Sequence, residues 1–175
     1  MKNVFKIAFV FFSSGIFSQL IAQEQLNSFV TKEFKMVYPS PWKTDTTRLM
    51  GTEVFVFAPR ENEDDQFSEN VNVLIQNLEG QSIDLEKYKQ ITEKQIAEVA
   101  TDGKIFESSI LKNIHGDYYK IIYSMTQGKF NLKITSYCFI KNDKAYLATF
   151  TTEIANYEKY KAIGGLILDS FVVLK

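Results

Sequence analysis

Residues 118–151, YYKIIYSMTQGKFNLKITSYCFIKNDKAYLATFT, decide the fold of this chain. Three largely apolar runs, at 118–126, 130–140 and 145–151, are separated by short polar segments that contain Gly, Asn and Asp. Apolar runs with alternating faces between such turns are typical of strands joined by hairpins. The stretch therefore predicts a three-stranded antiparallel meander, and Asn142-Asp143 is a favourable two-residue turn for its last hairpin.

Further strands are predicted on the N-terminal side of this meander. Their ranges are 34–38, 44–50, 52–58, 71–76 and 104–111. The strand at 52–58 is apolar on both faces, which predicts a position inside a covered sheet. The strand at 44–50 is polar, and we assign it to an edge of the sheet.

Two amphipathic helices complete the pattern. In the first, apolar residues recur at helical spacing from Leu85 to Val99 with charged residues between them. Ser82 or Asp84 can cap its start, and Asp102-Gly103 ends it. The second extends from about residue 156 to 169, with Gly164 on its apolar stripe. A glycine at that position predicts close packing of this helix against the sheet.

Together these elements predict an α+β fold. The sheet is mainly antiparallel, with about six or seven strands, and several strands are apolar on both faces, so both faces need cover. One amphipathic helix on each face supplies it, which gives an α/β/α sandwich. The strand order stays open, and the chain shows no internal repeat or linker that would indicate a second domain.

The first 22 residues have the features of a cleavable secretory signal peptide. Lys2 and Lys6 precede a short apolar run that is interrupted by serines and ends at Ala22. Cleavage after Ala22 or after Ser18 is expected, with no integral membrane span after processing. The sequence thus predicts one soluble domain at 23–175, exported to the periplasm or the extracellular space.

Charge and composition exclude several classes of function. Removal of the leader changes the net charge from −1 to −3, and Arg48 and Arg60 are the only arginines. Such a chain is poorly suited to nucleic-acid backbones. The single cysteine, Cys138, excludes an internal disulfide, so stability must come from burial of apolar side chains.

No catalytic or metal-binding constellation stands out. His115, the only histidine, lies in a predicted turn, and Cys138 lies inside a predicted strand, where a buried structural thiol is the favoured interpretation. One His and one Cys are too few for a His/Cys zinc set. No P-loop, dinucleotide-binding or nucleophile-elbow motif occurs. We therefore predict a protein that is not an enzyme and needs no cofactor or metal.

The order of these elements resembles that of the PsbP-like superfamily. The carriers of the resemblance are Phe34-Lys35-Met36-Val37-Tyr38-Pro39 with Pro41-Trp42, the strand at 71–76, the helix start at 85–88, the strand at 146–151 and a closing helix that ends in Ser170-Phe171. The likeness spans residues 28–174. The superfamily includes the extrinsic PsbP subunit of photosystem II, DcrB-like envelope proteins and a Ran-binding transport factor. The resemblance implies an α/β/α sandwich and a non-catalytic role in docking on another protein; no ligand motif is matched.

Two features are candidates for binding a protein partner in the envelope. Trp42 is either an interface anchor or, as we favour, a plug at one end of the core. The loop at 60–70 is acidic and predicted to be solvated; its candidate partner-binding residues are Glu61, Glu63, Asp64, Asp65 and Glu69. An alternative function is the transport of a small apolar ligand in an aromatic-lined cleft between sheet and helix.

Overall fold

A computed structural model describes residues 25–174, so the predicted signal peptide at 1–22 lies outside the described residues. The strands are β1 (Leu26–Val30), β2 (Phe34–Pro39), β3 (Lys43–Asp45), β4 (Val54–Phe57), β5 (Asn70–Asn77), β6 (Lys104–Asn113), β7 (Gly116–Gln127), β8 (Phe130–Lys141), β9 (Lys144–Glu153) and β10 (Val172–Val173). The helices are α1 (Leu85–Val99) and α2 (Tyr157–Asp169).

Seven strands form one antiparallel sheet in the order β3-β4-β5-β9-β8-β7-β6. The predicted meander makes up its β7-β8-β9 part. Asn142 and Asp143, with φ angles of 51° and 55°, form the tight turn between β8 and β9. Both residues adopt left-handed conformations, which two-residue hairpins of this kind require and which Asn and Asp tolerate well.

The two helices cover opposite faces of the large sheet. Alternate residues of β8 show this: Cys138 belongs to the apolar cluster beneath α1, whereas Tyr137 and Phe139 belong to the cluster beneath α2. The side chain of Asp84 caps α1 by accepting a hydrogen bond from the Lys87 N–H at 2.8 Å. The predicted α+β sandwich with helices on both faces is therefore confirmed.

Gly164 lies where α2 approaches the sheet most closely. A Cβ atom placed on Gly164 would lie 2.6 Å from ring carbons of the buried Phe150 on β9. No side chain fits there, which confirms the predicted close packing. The adjacent Gly165 has no atom within 4 Å of an added Cβ, so only one of the two glycines is required by packing.

A second, three-stranded sheet was missed by sequence reasoning. It pairs β1 and β10 with β2 in the order β1-β2-β10. Four of the five β1 residues are exposed, so this strand has little of the alternation that indicates a half-buried strand. Backbone pairing with β2, whose Phe34 and Met36 are buried, holds it in place.

The predicted edge strand at 44–50 is wrong in extent. Its strand part, β3, ends at Asp45, whose carboxylate accepts a hydrogen bond from the Thr47 N–H at 2.7 Å and so turns the chain. Arg48 and Met50 then adopt left-handed conformations, with φ angles of 62° and 54°, which no strand accommodates.

Neither α-helix of the described residues has the length and hydrophobicity that a membrane span needs.

Candidate functional site

Trp42 lies in the core rather than on a surface. Its side chain is 4% exposed and belongs to the cluster beneath α2. The indole ring meets the ring of Tyr160 of α2 edge-on, with 6.4 Å between the ring centroids. The Trp42 N–H donates to the Pro39 carbonyl at 3.0 Å, so the double-proline segment turns the chain inward and delivers the ring to the core.

The start of the acidic loop is attached to α2. Glu61 accepts a hydrogen bond from the Tyr160 hydroxyl at 3.0 Å and forms a salt bridge with Lys159. The hydrogen bond from Lys159, followed by that from Tyr160, lowers the pKa of the Glu61 carboxyl. Tyr160 therefore contacts both Trp42 and Glu61, although only Glu61 reaches the surface.

The rest of the loop divides into exposed and buried acids. Glu63 and Asp64 are exposed, and Asp65 accepts a hydrogen bond from the Glu61 N–H at 3.0 Å. Glu69, in contrast, is 1% exposed, so its predicted place in a solvated loop is wrong. Its carboxylate accepts from the Asn156 side-chain amide at 3.0 Å and thereby ties the start of β5 to the segment before α2.

Because Glu69 is buried and Glu63 is exposed, replacement of each by Gln should lower the stability of the protein by different amounts. Glu69→Gln should lower the free energy of unfolding by about 1 kcal/mol, because a buried hydrogen bond to a charged acceptor becomes a neutral one. Glu63→Gln, the matched control, should change it by less than about 0.5 kcal/mol. Urea unfolding of the two variants measures both values, and equal effects would contradict the structural role of Glu69.

A cleft lies between α1 and the large sheet. Ile96 is the only fully buried residue among the fifteen of α1, and Leu85 and Tyr88 are partly buried against the same cluster, so the helix covers the sheet incompletely. Side chains that border the space from the helix and from the residue that follows it are Tyr88, Thr92, Gln95, Ile96, Val99 and Ala100. Polar Thr92 and Gln95 occupy positions on this face that a closely packed helix would fill with apolar side chains.

The sheet supplies the floor of this cleft. Alternate residues of β7 border it, together with apolar residues of β8 and β9 and with the polar Gln76, Ser136 and Thr149. The apolar and aromatic floor residues are Tyr119, Ile121, Tyr123, Met125, Cys138 and Leu147. The cleft has a volume of about 450 Å³, which lies within the range of about 300–1,000 Å³ that is typical of small-molecule sites.

Most polar side chains around the cleft are hydrogen-bonded within the protein. The Tyr88 hydroxyl donates to Gln76 Oε1 at 2.6 Å and so connects α1 to β5. Ser136 and Thr149 share a hydrogen bond of 2.8 Å between their hydroxyls. The surface that a ligand meets is consequently apolar and aromatic over most of its area.

The titratable groups of the cleft are held in their protonated forms. Burial raises the pKa of the Tyr119 hydroxyl to about 12 and raises that of Tyr88 further. Burial also raises the pKa of the Cys138 thiol far above its ordinary value. Cys138 is 2% exposed, which confirms the predicted buried thiol, and His115 is exposed in the turn between β6 and β7.

Sequence reasoning anticipated an aromatic-lined cleft but did not assign its residues. The sequence feature that indicated the cleft was in α1, where polar Thr92 and Gln95 interrupt the sheet-facing side of an otherwise amphipathic helix.

Trp42 and the acidic loop lie on the other side of the sheet, with α2, and take no part in the cleft. Within residues 25–174, no cluster of three or more His, Cys, Asp or Glu side chains is arranged to hold a metal ion.

Comparison with solved structures identifies the fold. The cyanobacterial PsbP protein of Synechocystis sp. PCC 6803 superposes with a TM-score of 0.62 at 13% identity, over 88% of this chain and 95% of its own. LpqN of Mycobacterium tuberculosis, described as involved in cell envelope biogenesis, superposes with a TM-score of 0.56 at 7% identity, over 87% and 86% of the two chains.

A third similar structure is PA94 of Pseudomonas aeruginosa, a protein of unknown function described as a putative regulator. Its TM-score is 0.55 at 8% identity, over 78% of this chain and 89% of its own. No protein-family model and no curated protein sequence matches this chain. The chain therefore has the PsbP-like fold, as the order of its sequence elements predicted, and at these identities the likeness establishes the fold alone.

Proposed function

We propose that this chain is a non-catalytic, exported binding protein of the cell envelope, and that it holds a small apolar molecule in the cleft beneath α1. The observation that carries the proposal is the cleft itself. It has the volume of a small-molecule site, and its floor presents two tyrosine side chains and several aliphatic side chains from neighbouring strands. The likeness of the fold to an envelope-biogenesis protein supports the envelope setting.

The chemistry of the lining supports binding rather than catalysis. A general base or nucleophile must lose its proton near the working pH. The raised pKa values of Tyr88, Tyr119 and Cys138 keep these groups protonated at neutral pH. Protonated phenols and a buried thiol contribute contact area and occasional hydrogen bonds, which suits the retention of a ligand.

Binding of the apolar fluorophore N-phenyl-1-naphthylamine tests this proposal. The purified protein should enhance its fluorescence in a saturable manner, because the dye enters a water-poor aromatic cleft. Thr92→Trp, which places an indole in the roof of the cleft, should weaken binding at least tenfold, or by about 1.4 kcal/mol.

The matched control for this test is Ala97→Trp. Ala97 lies on the same helix but is exposed and does not border the cleft, so its indole should leave dye affinity unchanged. Both variants should first be shown to retain the parent circular dichroism spectrum. Equal affinity of all three proteins, or no saturable dye binding by the parent, would overturn the proposed site.

Export by a cleaved leader is a separate part of the proposal. N-terminal sequencing of protein recovered from the periplasm or medium should begin near Gln23 or Gln19, because signal peptidase cuts behind small residues. An intact Met1 on membrane-bound material would contradict both the leader and the location.

Docking on an envelope protein remains the second candidate function. The exposed Glu63 and Asp64 offer a negative surface to a basic partner, while buried Trp42 is not accessible to one. Pull-down from an envelope extract should then depend on these two acids and weaken as salt is raised. Retention of the same partner by a Glu63→Gln, Asp64→Asn variant would exclude this loop as the contact.

A further inference from the structure

The charge pattern around the cleft restricts the ligand class. Among the described residues that border the cleft, none is an Asp, Glu, Lys, Arg or His. An ionised ligand group that entered the cleft would lose water without gaining a charged partner. Such burial is strongly unfavourable, whereas a neutral hydroxyl or ester needs only hydrogen bonds.

Two of the three lysines of α1 form ion pairs along the helix. On α1, Lys89 forms a salt bridge with Glu93 at 3.2 Å, and Lys94 pairs with Glu98 at 3.9 Å. Neither lysine borders the cleft. These lysines are thus paired along the helix and do not compensate an anion beneath it.

Neutral hydrogen-bonding groups are nevertheless present at one side of the cleft. Gln76 uses its side-chain oxygen to accept from Tyr88, so its NH₂ group is the donor that it can offer a ligand. Gln95 borders the same space from an exposed position on α1. Both amides are uncharged and suit a hydroxyl or carbonyl oxygen of a ligand.

We infer that the cleft selects an uncharged, mostly apolar molecule with a single hydrogen-bonding end, and rejects the carboxylate of the same chain length. This inference rests on the proposed function. The apolar part lies against Ile121, Met125 and Leu147, and the neutral polar end lies at Gln76 and Gln95. Long-chain alcohols and neutral esters have this chemistry, whereas ionised fatty acids do not.

Displacement of N-phenyl-1-naphthylamine by 1-decanol and by decanoate at pH 8 tests the inference. Decanol should displace the dye at a concentration at least tenfold lower than decanoate does, because only the alcohol enters without a buried charge. Equal displacement, or preference for decanoate, would overturn the inference and leave the binding function intact. Absence of saturable dye binding by the parent protein would overturn both.

A charge placed at the mouth of the cleft gives a second readout. Val99 borders the cleft but is 79% exposed, so Val99→Lys should fold normally and bring an ammonium group to the mouth. This variant should bind decanoate at least fivefold more tightly than the parent does. Ala97→Lys adds the same charge away from the cleft and should not. If both variants gained the same affinity for decanoate, the gain would come from general surface charge, and the proposed selection by the cleft would be overturned.

Discussion

Trp42→Ala is expected to lower the free energy of unfolding by about 3–5 kcal/mol. The indole is 4% exposed and packs edge-on against Tyr160, so its removal leaves a cavity between the double-proline turn and α2. For a domain of this size the melting temperature should fall by roughly 10 °C or more. Differential scanning calorimetry of the parent and the variant measures both quantities.

Phe106→Ala is the control for this experiment. Phe106 is also aromatic, but it is 51% exposed on β6, and the ammonium groups of Lys133 and Lys104 lie over its ring at 4.8 and 5.3 Å from the centroid. Its loss should cost less than about 1 kcal/mol. If Trp42→Ala melts like the parent, the ring is not a core element, and Trp42 returns as an interface residue.

The two adjacent glycines of α2 should respond to alanine with opposite signs. Gly164→Ala should destabilise the protein by about 1–3 kcal/mol, because the new methyl group lies 2.6 Å from the buried ring of Phe150. Gly165→Ala meets no atom within 4 Å and should stabilise it by about 0.4–1 kcal/mol through reduced freedom of the unfolded chain. Chemical denaturation of both variants measures the difference.

Each of the two glycine substitutions serves as the control for the other. Both substitutions add one methyl group to the same helix, so helix propensity favours both equally. Any difference in sign must come from the space between α2 and β9. Stabilisation by Gly164→Ala would mean that Phe150 moves aside readily and that the helix is not held at this distance by the ring.

Local patterns predicted those parts of the fold in which several local signals agree. The β7-β8-β9 meander followed from alternating apolar residues and from the Asn142-Asp143 turn. The start of α1 followed from its periodicity and from a cap at Ser82 or Asp84, of which Asp84 forms the cap; the helix itself ends at Val99, before the predicted stop at Asp102-Gly103. In these segments, propensity, hydrophobic pattern and turn chemistry favour the same structure.

Elements held mainly by distant partners were harder to predict. The exposed strand β1 is ordered by backbone hydrogen bonds to β2, and β10 is too short to show a periodicity. Glu69 was placed in a solvated loop because its neighbours in sequence are acidic, yet its hydrogen-bond partner is Asn156, far along the chain. Such placements depend on tertiary contacts that a single sequence does not display.

The candidate site shows the same limit. The alternation of β7 and the helical periodicity of α1 indicated that one side of each element faces inward, although the residues of the cleft were not assigned. Whether those faces touch or stand apart depends on the height of α1 above the sheet, and this is fixed by contacts at Ile96 and by the Tyr88–Gln76 hydrogen bond. Periodicity indicates which side chains face inward, but it does not indicate how much space lies between them.

The sparse burial of α1 has a consequence for the dynamics of the protein. An element with few buried contacts opens at a lower free energy than the core does, so amide hydrogens of α1 should exchange with solvent well before those of β8 and β9. A molecule that fills the cleft contacts the helix only while it is closed, and it therefore slows this local opening. Occupancy would then appear as protection of one helix against deuterium, with little change in the unfolding of the whole domain.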